Sequence, residues 1–325
     1  MKTFSDKIDI LVALGAIFET KEFENKVHQA QKANPWFTPF TIREAANAIR
    51  TEMLDREKLT RWVSKYSPTQ KKQSVGIIMA GNIPMVGFFD LLVAFLTGHQ
   101  IKVKCSSKDK VLMGYIVQKL KELSQEEIEE TDQIKPETID FLLAMGSDAT
   151  ERSLKEKYPH SKNIIRGTRH SIAQLTGKES PQELKELSKD LFLYWGMGCR
   201  NITHLILPKG YNFESLTQNT KAYYSDYYNQ KLAYETARLT MLNIPHIKAN
   251  GFLLMQMEID QIPPVAIVGY SYQNEKTEID PKKLQCTIGL SQFKCNIPLG
   301  KSQYPTIEDS PNGIDPLELL LEAKR

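Results

Sequence analysis

One of the four cysteines, Cys105, Cys199, Cys286 and Cys295, stands in a setting suited to covalent chemistry. Cys199 lies in Gly196-Met-Gly-Cys-Arg200, where a helical pattern ends and a strand pattern begins. Glycine lets a substrate carbonyl approach the backbone. Arg200 favours the thiolate, the form that attacks a carbonyl carbon. The same residues also read as a small buried cysteine at a tight turn. Asn82, in Gly81-Asn-Ile-Pro84, follows an apolar strand and precedes a helix. Its amide suits a developing oxyanion, or it is a turn residue before proline. Lys104 ends the next strand, in reach of a nucleotide ribose or phosphate, or facing solvent. Gly146-Ser147 closes a third strand and suits a pyrophosphate, or is an ordinary turn.

Other polar and aromatic residues read more plainly. Cys105, Cys286 and Cys295 lack a glycine turn and are expected to be packing residues. Arg166, Arg169 and His170 read as a solvated loop in preference to a phosphate site. Tyr223, Tyr227 and Tyr234, with Tyr224 and Tyr228, form helical stripes expected in the core rather than along an acyl groove. The six histidines have no metal-binding spacing and are expected at the surface or at helix ends, with no metal site. There is no GxSxG, P-loop or GxGxxG.

Composition narrows the classes further. The 325 residues are 41% hydrophobic and 25% charged, which excludes a disordered, collagen-like or disulfide-scaffold chain. A net charge of +3 gives no case for nucleic acid as a partner. Val75 to Gly98 is apolar but holds Asn82, Pro84 and Asp90, so no membrane span is expected. Ile10 to Phe18 follows Asp6 and Asp9 and reads as a buried amphipathic helix. Without a secretory signal, free thiols in a cytoplasmic protein are expected.

These residues need elements to hold them. The first 65 are helical in pattern, with a capping box at Thr41-Ile-Arg-Glu44. Then strands and helices alternate: Val75–Gly81, Phe88–Thr97, Ile101–Lys104, Leu112–Leu123, Ile139–Met145, Thr150–Lys157, Asn163–Arg166 and Ser171–Leu175. Lys121 to Asp132 reads as a solvated acidic helix face or loop. The alternation predicts an α/β fold with a doubly wound parallel sheet. A helix from Pro181 to about Trp195, a strand at Asn201–Leu207, a tyrosine-rich helical stretch at 213–242 and three short strands build a second α/β domain. The expected division is 1–177 for N-terminal helices and cofactor domain, 178–305 for the catalytic domain and 306–325 for a tail, with the active site in the cleft between domains.

Taken in order, Asn82/Pro84, Lys104, Gly146/Ser147, Leu175/Gly177/Lys178, Cys199 and Pro298/Gly300 resemble the aldehyde dehydrogenase superfamily. GIIMAGNIPMVGFFDLL (76–92), VKCSSKD (103–109), IIRGTRHSIAQLTGKES (164–180) and GMGCRNITHLILP (196–208) resemble the LuxC-type acyl-CoA reductase family more closely. The resemblance runs from about Lys72 to the C-terminus. It implies reduction of a long-chain fatty acyl thioester to the aldehyde with NADPH. Cys199 would be the nucleophile that takes the acyl group from CoA or a carrier protein. Asn82 and the Cys199 N–H would form the oxyanion hole. Lys104 would hold the adenosine ribose or its 2′-phosphate, and Gly146, Ser147 and Gly177 would line the cofactor. An acyl-transferring partner protein and oligomerisation are compatible with it. Alternatives are an acylating aldehyde dehydrogenase, an acyl-phosphate reductase, or a non-catalytic acyl-binding subunit. Where oxidising members carry a glutamate base, this chain has Gln174, which cannot act as one.

Overall fold

A computed structural model of the chain describes residues 2–68, 72–273, 279–289, 296–309 and 313–321. Internal contacts divide it into two compact units, Met1–Thr168 with Pro305–Arg325, and Arg169–Tyr304.

The first unit opens with helices α1 (Phe4–Gly15), α2 (Lys21–Ala33), α3 (Pro39–Ala48) and α4 (Arg56–Val63). α1 is amphipathic as expected, burying Ile8, Leu11 and Leu14. α3 begins ahead of the box expected at Thr41. The Thr38 hydroxyl accepts from the Thr41 N–H at 3.3 Å, and Pro39 takes the first helical position, where a missing N–H loses nothing.

Next come β1 (Ser74–Ile78), α5 (Phe88–Thr97), β2 (Gln100–Lys104), α6 (Lys110–Ser124), β3 (Ile128–Glu130), β4 (Phe141–Met145), α7 (Asp148–Lys157) and β5 (Lys162–Arg166). The strands form one parallel sheet in the order β3-β2-β1-β4-β5. Strands that run outward on both sides of β1 make it doubly wound. β3 falls inside the stretch expected to be a solvated helix face or loop. Of its three residues only Ile128 is buried, so an edge strand leaves almost no apolar signature.

Every residue of α5 is buried, because β1, β2 and α1 all pack against it. α1 contributes a charge to that packing. Lys7 is 3% exposed, and its Nζ donates to the Leu96 carbonyl at 2.9 Å, in the last turn of α5. Burial lowers the ammonium to about 8. Between pH 8 and 10.5 the unfolded chain therefore holds a proton that the native state has lost. Stability contributed by this group rises with pH across that window. Relative to Lys7→Met, the wild-type chain is expected to gain about 2 kcal/mol between pH 8 and 10.5 in urea denaturation. Parallel pH profiles would remove Lys7 from this account.

The second unit contains β6 (His170–Gln174), α8 (Pro181–Phe192), β7 (Ile202–Leu207), α9 (Phe213–Asn219), α10 (Asp226–Met241), β8 (Ile247–Lys248), β9 (Leu253–Gln256), β10 (Ile267–Tyr272) and β11 (Leu284–Gly289). They form a sheet in the order β11-β6-β7-β10-β9-β8, parallel except where β8 meets β9. The tyrosine stripes depart from expectation. Tyr228 is buried, but Tyr224, Tyr227 and Tyr234 are exposed. The buried face of α10 is Tyr228, Glu235 and Leu239 instead.

The chain then returns to the first unit, where α11 (Pro316–Leu321) packs on α5 and buries Leu317, Leu320 and Leu321. Asp315, just before it, accepts a hydrogen bond from the Tyr66 hydroxyl. His99 Nε2 donates to the Leu320 carbonyl at 2.9 Å while its Nδ1 accepts from the Gln73 N–H. No helix of the described residues is long and apolar enough to cross a membrane.

Candidate active site

In the first unit, Asn82, Lys104 and Gly146-Ser147 come to one edge. They lie at or just beyond the carboxyl ends of neighbouring strands β1, β2 and β4, where Ile78 pairs with Lys104 on one side and Ala144 on the other. This is the edge at which open parallel sheets bind ligands. Asn82, Lys104 and Ser147 are exposed there.

The loop that carries Asn82 is held from both sides. A Cβ at Gly81 would stand 2.5 Å from the Ser106 hydroxyl, and one at Gly87 would strike the Met79 side chain. Between them Met85 takes a left-handed φ of 57°, and its N–H donates to the Asp109 carboxylate at 2.7 Å. Asp109 is buried, which pushes its carboxyl well above the usual range. Ser147 caps α7, its Oγ accepting from the Thr150 N–H at 3.2 Å. At Gly146 a Cβ would lie 2.6 Å from Thr150, so only glycine lets the chain pass this helix end.

Two expected solvent groups are instead internal. The Arg166 guanidinium donates to both Asp90 carboxylate oxygens at 2.8 Å, and both side chains are almost fully buried. Arg166 Nε and Nη2 have no hydrogen-bond partner. In the second unit, His170 and His204 are buried rather than superficial. Burial, then the neighbouring His170, lowers His204 to about 4. Its Nε2 lies 2.9 Å from the Ser271 hydroxyl. Arg169 reaches the Leu284 carbonyl.

Cys199 is exposed, whereas Cys105 and Cys286 are buried. That decides the local question in favour of an accessible thiol. Burial, then the charge of Glu130, pushes the Cys105 thiol up to about 12, as suits a packing residue. Cys295 lies outside the described residues. Cys199 immediately precedes β7 within a turn closed at its base: the Asn201 N–H donates to the Gly198 carbonyl at 3.0 Å, and the Gly198 N–H donates to Asn201 Oδ1 at 2.9 Å. Ser171 Oγ, at the start of β6, donates to the Cys199 carbonyl at 2.9 Å. Arg200 Nη1 lies 3.7 Å from Cys286 Sγ.

The helix before this turn ends at Phe192, short of the expected Trp195. Tyr194, Trp195 and Gly196 then take left-handed φ values of 61°, 63° and 73°. Gly177, also in this unit, has a φ of +80° and donates its N–H to the Glu179 carboxylate at 3.1 Å. Gln174 ends β6 and is half-buried. Sequence reasoning missed Asp109, Asp190 and Asn201. The one available signal was Asp190, a carboxylate beside Leu187 and Leu191 on the apolar face of α8. Among the described residues, no group of three or more His, Cys, Asp or Glu side chains is arranged to hold a metal ion.

Comparison with known proteins gives the site its context. The family model for acyl-CoA reductase (LuxC) matches residues 16–209. No curated protein matches the chain. The structure is similar to an aldehyde dehydrogenase from Bacillus cereus in complex with NAD+, with a TM-score of 0.62 and 12% identity over 85% of this chain and 68% of that one. It is similar to a glyceraldehyde-3-phosphate dehydrogenase from Methanocaldococcus jannaschii complexed with NADP, with a TM-score of 0.62 and 9% identity over 96% and 82%. It is also similar to an acetylating aldehyde dehydrogenase from Geobacillus thermoglucosidasius, with a TM-score of 0.58 and 12% identity over 84% and 71%. These likenesses show an aldehyde dehydrogenase fold.

Proposed function

This chain belongs to the acyl-CoA reductase (LuxC) family, and we propose that it reduces a long-chain fatty acyl thioester to the aldehyde with NADPH, through an acyl-enzyme on Cys199. The observation that carries the proposal is the exposed Cys199 thiol on a turn whose backbone is bonded at Gly198, Cys199 and Asn201.

The Cys199 thiolate attacks the thioester carbonyl carbon. As the new carbon–sulfur bond forms, the bond to the CoA or carrier sulfur breaks, and that thiolate leaves and takes up a proton. A thioester is a good acyl donor, and the enzyme thioester remains a good hydride acceptor. The proposed donors to the oxyanion are the Cys199 N–H and the Asn82 amide. Gln174 offers no carboxylate base to activate water, which supports a thioester that survives hydrolysis.

The carboxyl edge of the first sheet fits a nicotinamide dinucleotide. Ser147 stands at the N-terminus of α7, where anions are stabilised. From the end of β2 the chain reads Lys104-Cys-Ser-Ser-Lys108. It offers two cations and two hydroxyls there to meet a 2′-phosphate. That supports NADPH, with Lys104, Gly146, Ser147 and Gly177 as the proposed binding residues. Bound, such a cofactor supplies hydride to the acyl carbon.

Incubation with acyl-CoAs of increasing chain length, without cofactor, tests the proposal. Intact-mass spectrometry with peptide mapping is expected to show one acyl adduct, on Cys199. A folded protein that acquires no adduct there, or acquires it on Cys286, overturns the assignment.

A further inference from the structure

We infer that Asp190 and Asn201 are positioning residues, which hold the backbone around Cys199 in one hydrogen-bonded frame with the Pro298–Gly300 turn. The inference rests on the reading of Cys199 as the acyl-accepting thiol.

The approach to Cys199 is an unfavourable piece of chain. Tyr194 and Trp195 sit in the left-handed region, where a Cβ crowds the following carbonyl oxygen. Such a run persists only where its surroundings over-determine it. Asn201 supplies that determination. Its Nδ2 donates to the Leu193 carbonyl at 2.7 Å and the Asp190 carbonyl at 3.1 Å, with the Leu191 carbonyl at 3.4 Å. Its Oδ1 accepts the Gly198 N–H. One carboxamide thus ties the end of α8, before the left-handed run, to the turn after it. It is 0% exposed, so water does not compete for these bonds.

Asp190 extends the frame. One carboxylate oxygen accepts the Gly300 N–H at 2.6 Å. The other accepts the Ser302 N–H at 3.0 Å and its hydroxyl at 2.7 Å. Gln303 Nε2 donates to that same hydroxyl at 2.9 Å. Gly300 has a φ of +79°, and a Cβ there would meet Glu186 on α8 at 2.5 Å. The 300–302 segment is therefore seated against α8 at the residue whose carbonyl Asn201 also holds. Asp190 too is 0% exposed. A buried carboxylate with three donors specifies one geometry, since each donor left over would be buried and unpaired.

Asp190→Asn keeps the shape but presents an N–H₂ to groups that themselves donate. Acylation of Cys199 by acyl-CoA, followed by mass spectrometry, is expected to slow between about tenfold and a hundredfold in this variant, since small misplacement of a reacting atom has that effect. Alkylation of Cys199 by iodoacetamide, which needs no alignment with a bound substrate, is expected to stay within about threefold of wild type. A purely structural role would lower the melting temperature and leave acylation of the folded protein unchanged. Asn201→Asp, which accepts from Gly198 but cannot donate to the carbonyls, is expected to behave like Asp190→Asn. If these variants do not fold, Ser302→Ala, which removes one donor, is expected to slow acylation about threefold. Equal acylation rates in wild type and in the folded variants overturn the inference alone. An acyl adduct missing from Cys199 in wild type overturns the nucleophile reading, and the inference with it.

Discussion

Cys199→Ala is expected to lower the rate of acyl thioester reduction by about a thousandfold or more, because the variant cannot form the proposed acyl-enzyme. The size of the loss follows from the division of labour. Binding groups and oxyanion donors remain, so some advantage over solution persists, but the step that transfers the acyl group off its carrier has no acceptor. Stability is expected to change little, since the thiol is exposed and substitutions at such positions usually stay within about 0.5 kcal/mol. The measurement is NADPH oxidation with acyl-CoA under saturating conditions, beside a melting curve. A variant that keeps a tenth of wild-type turnover would assign the chemistry to another group. Cys286 is the natural control. It is buried beside Arg200 at 3.7 Å, so Cys286→Ala is expected to retain catalysis while removing packed volume.

The largest effect on stability is expected at Asp90 and Arg166. Both are buried, on α5 and at the end of β5. Asp90→Ala leaves a guanidinium that already has Nε and Nη2 without partners with no acceptor for Nη1 either. Removing one member of such a pair costs about 3–5 kcal/mol. Replacing both, as Asp90→Leu with Arg166→Met, is expected to recover most of that loss, because neither charge then has to be desolvated. Urea denaturation followed by fluorescence separates the units: Trp36 and Trp62 report on the first and Trp195 on the second. A single-variant loss below about 1 kcal/mol in the first unit's transition would show that the pair is hydrated in solution.

What the sequence made legible follows from where side chains point. Val75, Ile77, Ile101, Val103 and Phe141 to Ala144 are buried in parallel strands, and strands covered on both faces read as apolar runs. The two-sided sheet could be foreseen from them. β3 could not, because an edge strand with one buried residue has no such run. The tyrosines of α10 misled for a related reason: aromatic spacing of three and four residues marks a helix but not which of its faces is covered. His170 and His204 were misplaced because a lone histidine carries no pattern at all. Of the proposed site residues, Cys199, Asn82, Lys104 and Ser147 were singled out by neighbouring glycines, prolines and strand ends. Asp190 and Asn201 were not. The partners of Asp190 at Gly300 and Ser302 are more than a hundred residues away, and those of Asn201 are backbone groups between Asp190 and Gly198 that no side-chain pattern marks.

The connectivity has a consequence for synthesis on the ribosome. The first unit is interrupted at Thr168 and completed only by residues that begin at Pro305. Chains grow at about 5–20 residues per second, so the intervening unit takes on the order of ten seconds to emerge. Throughout that interval α5, buried on every side in the folded unit, lacks the cover of Leu317, Leu320 and Leu321. The second unit, whose residues are contiguous, meets no such delay. Vectorial folding therefore runs against the usual N-terminal-first order. The nascent protein presents a ready client surface to chaperones until α11 arrives.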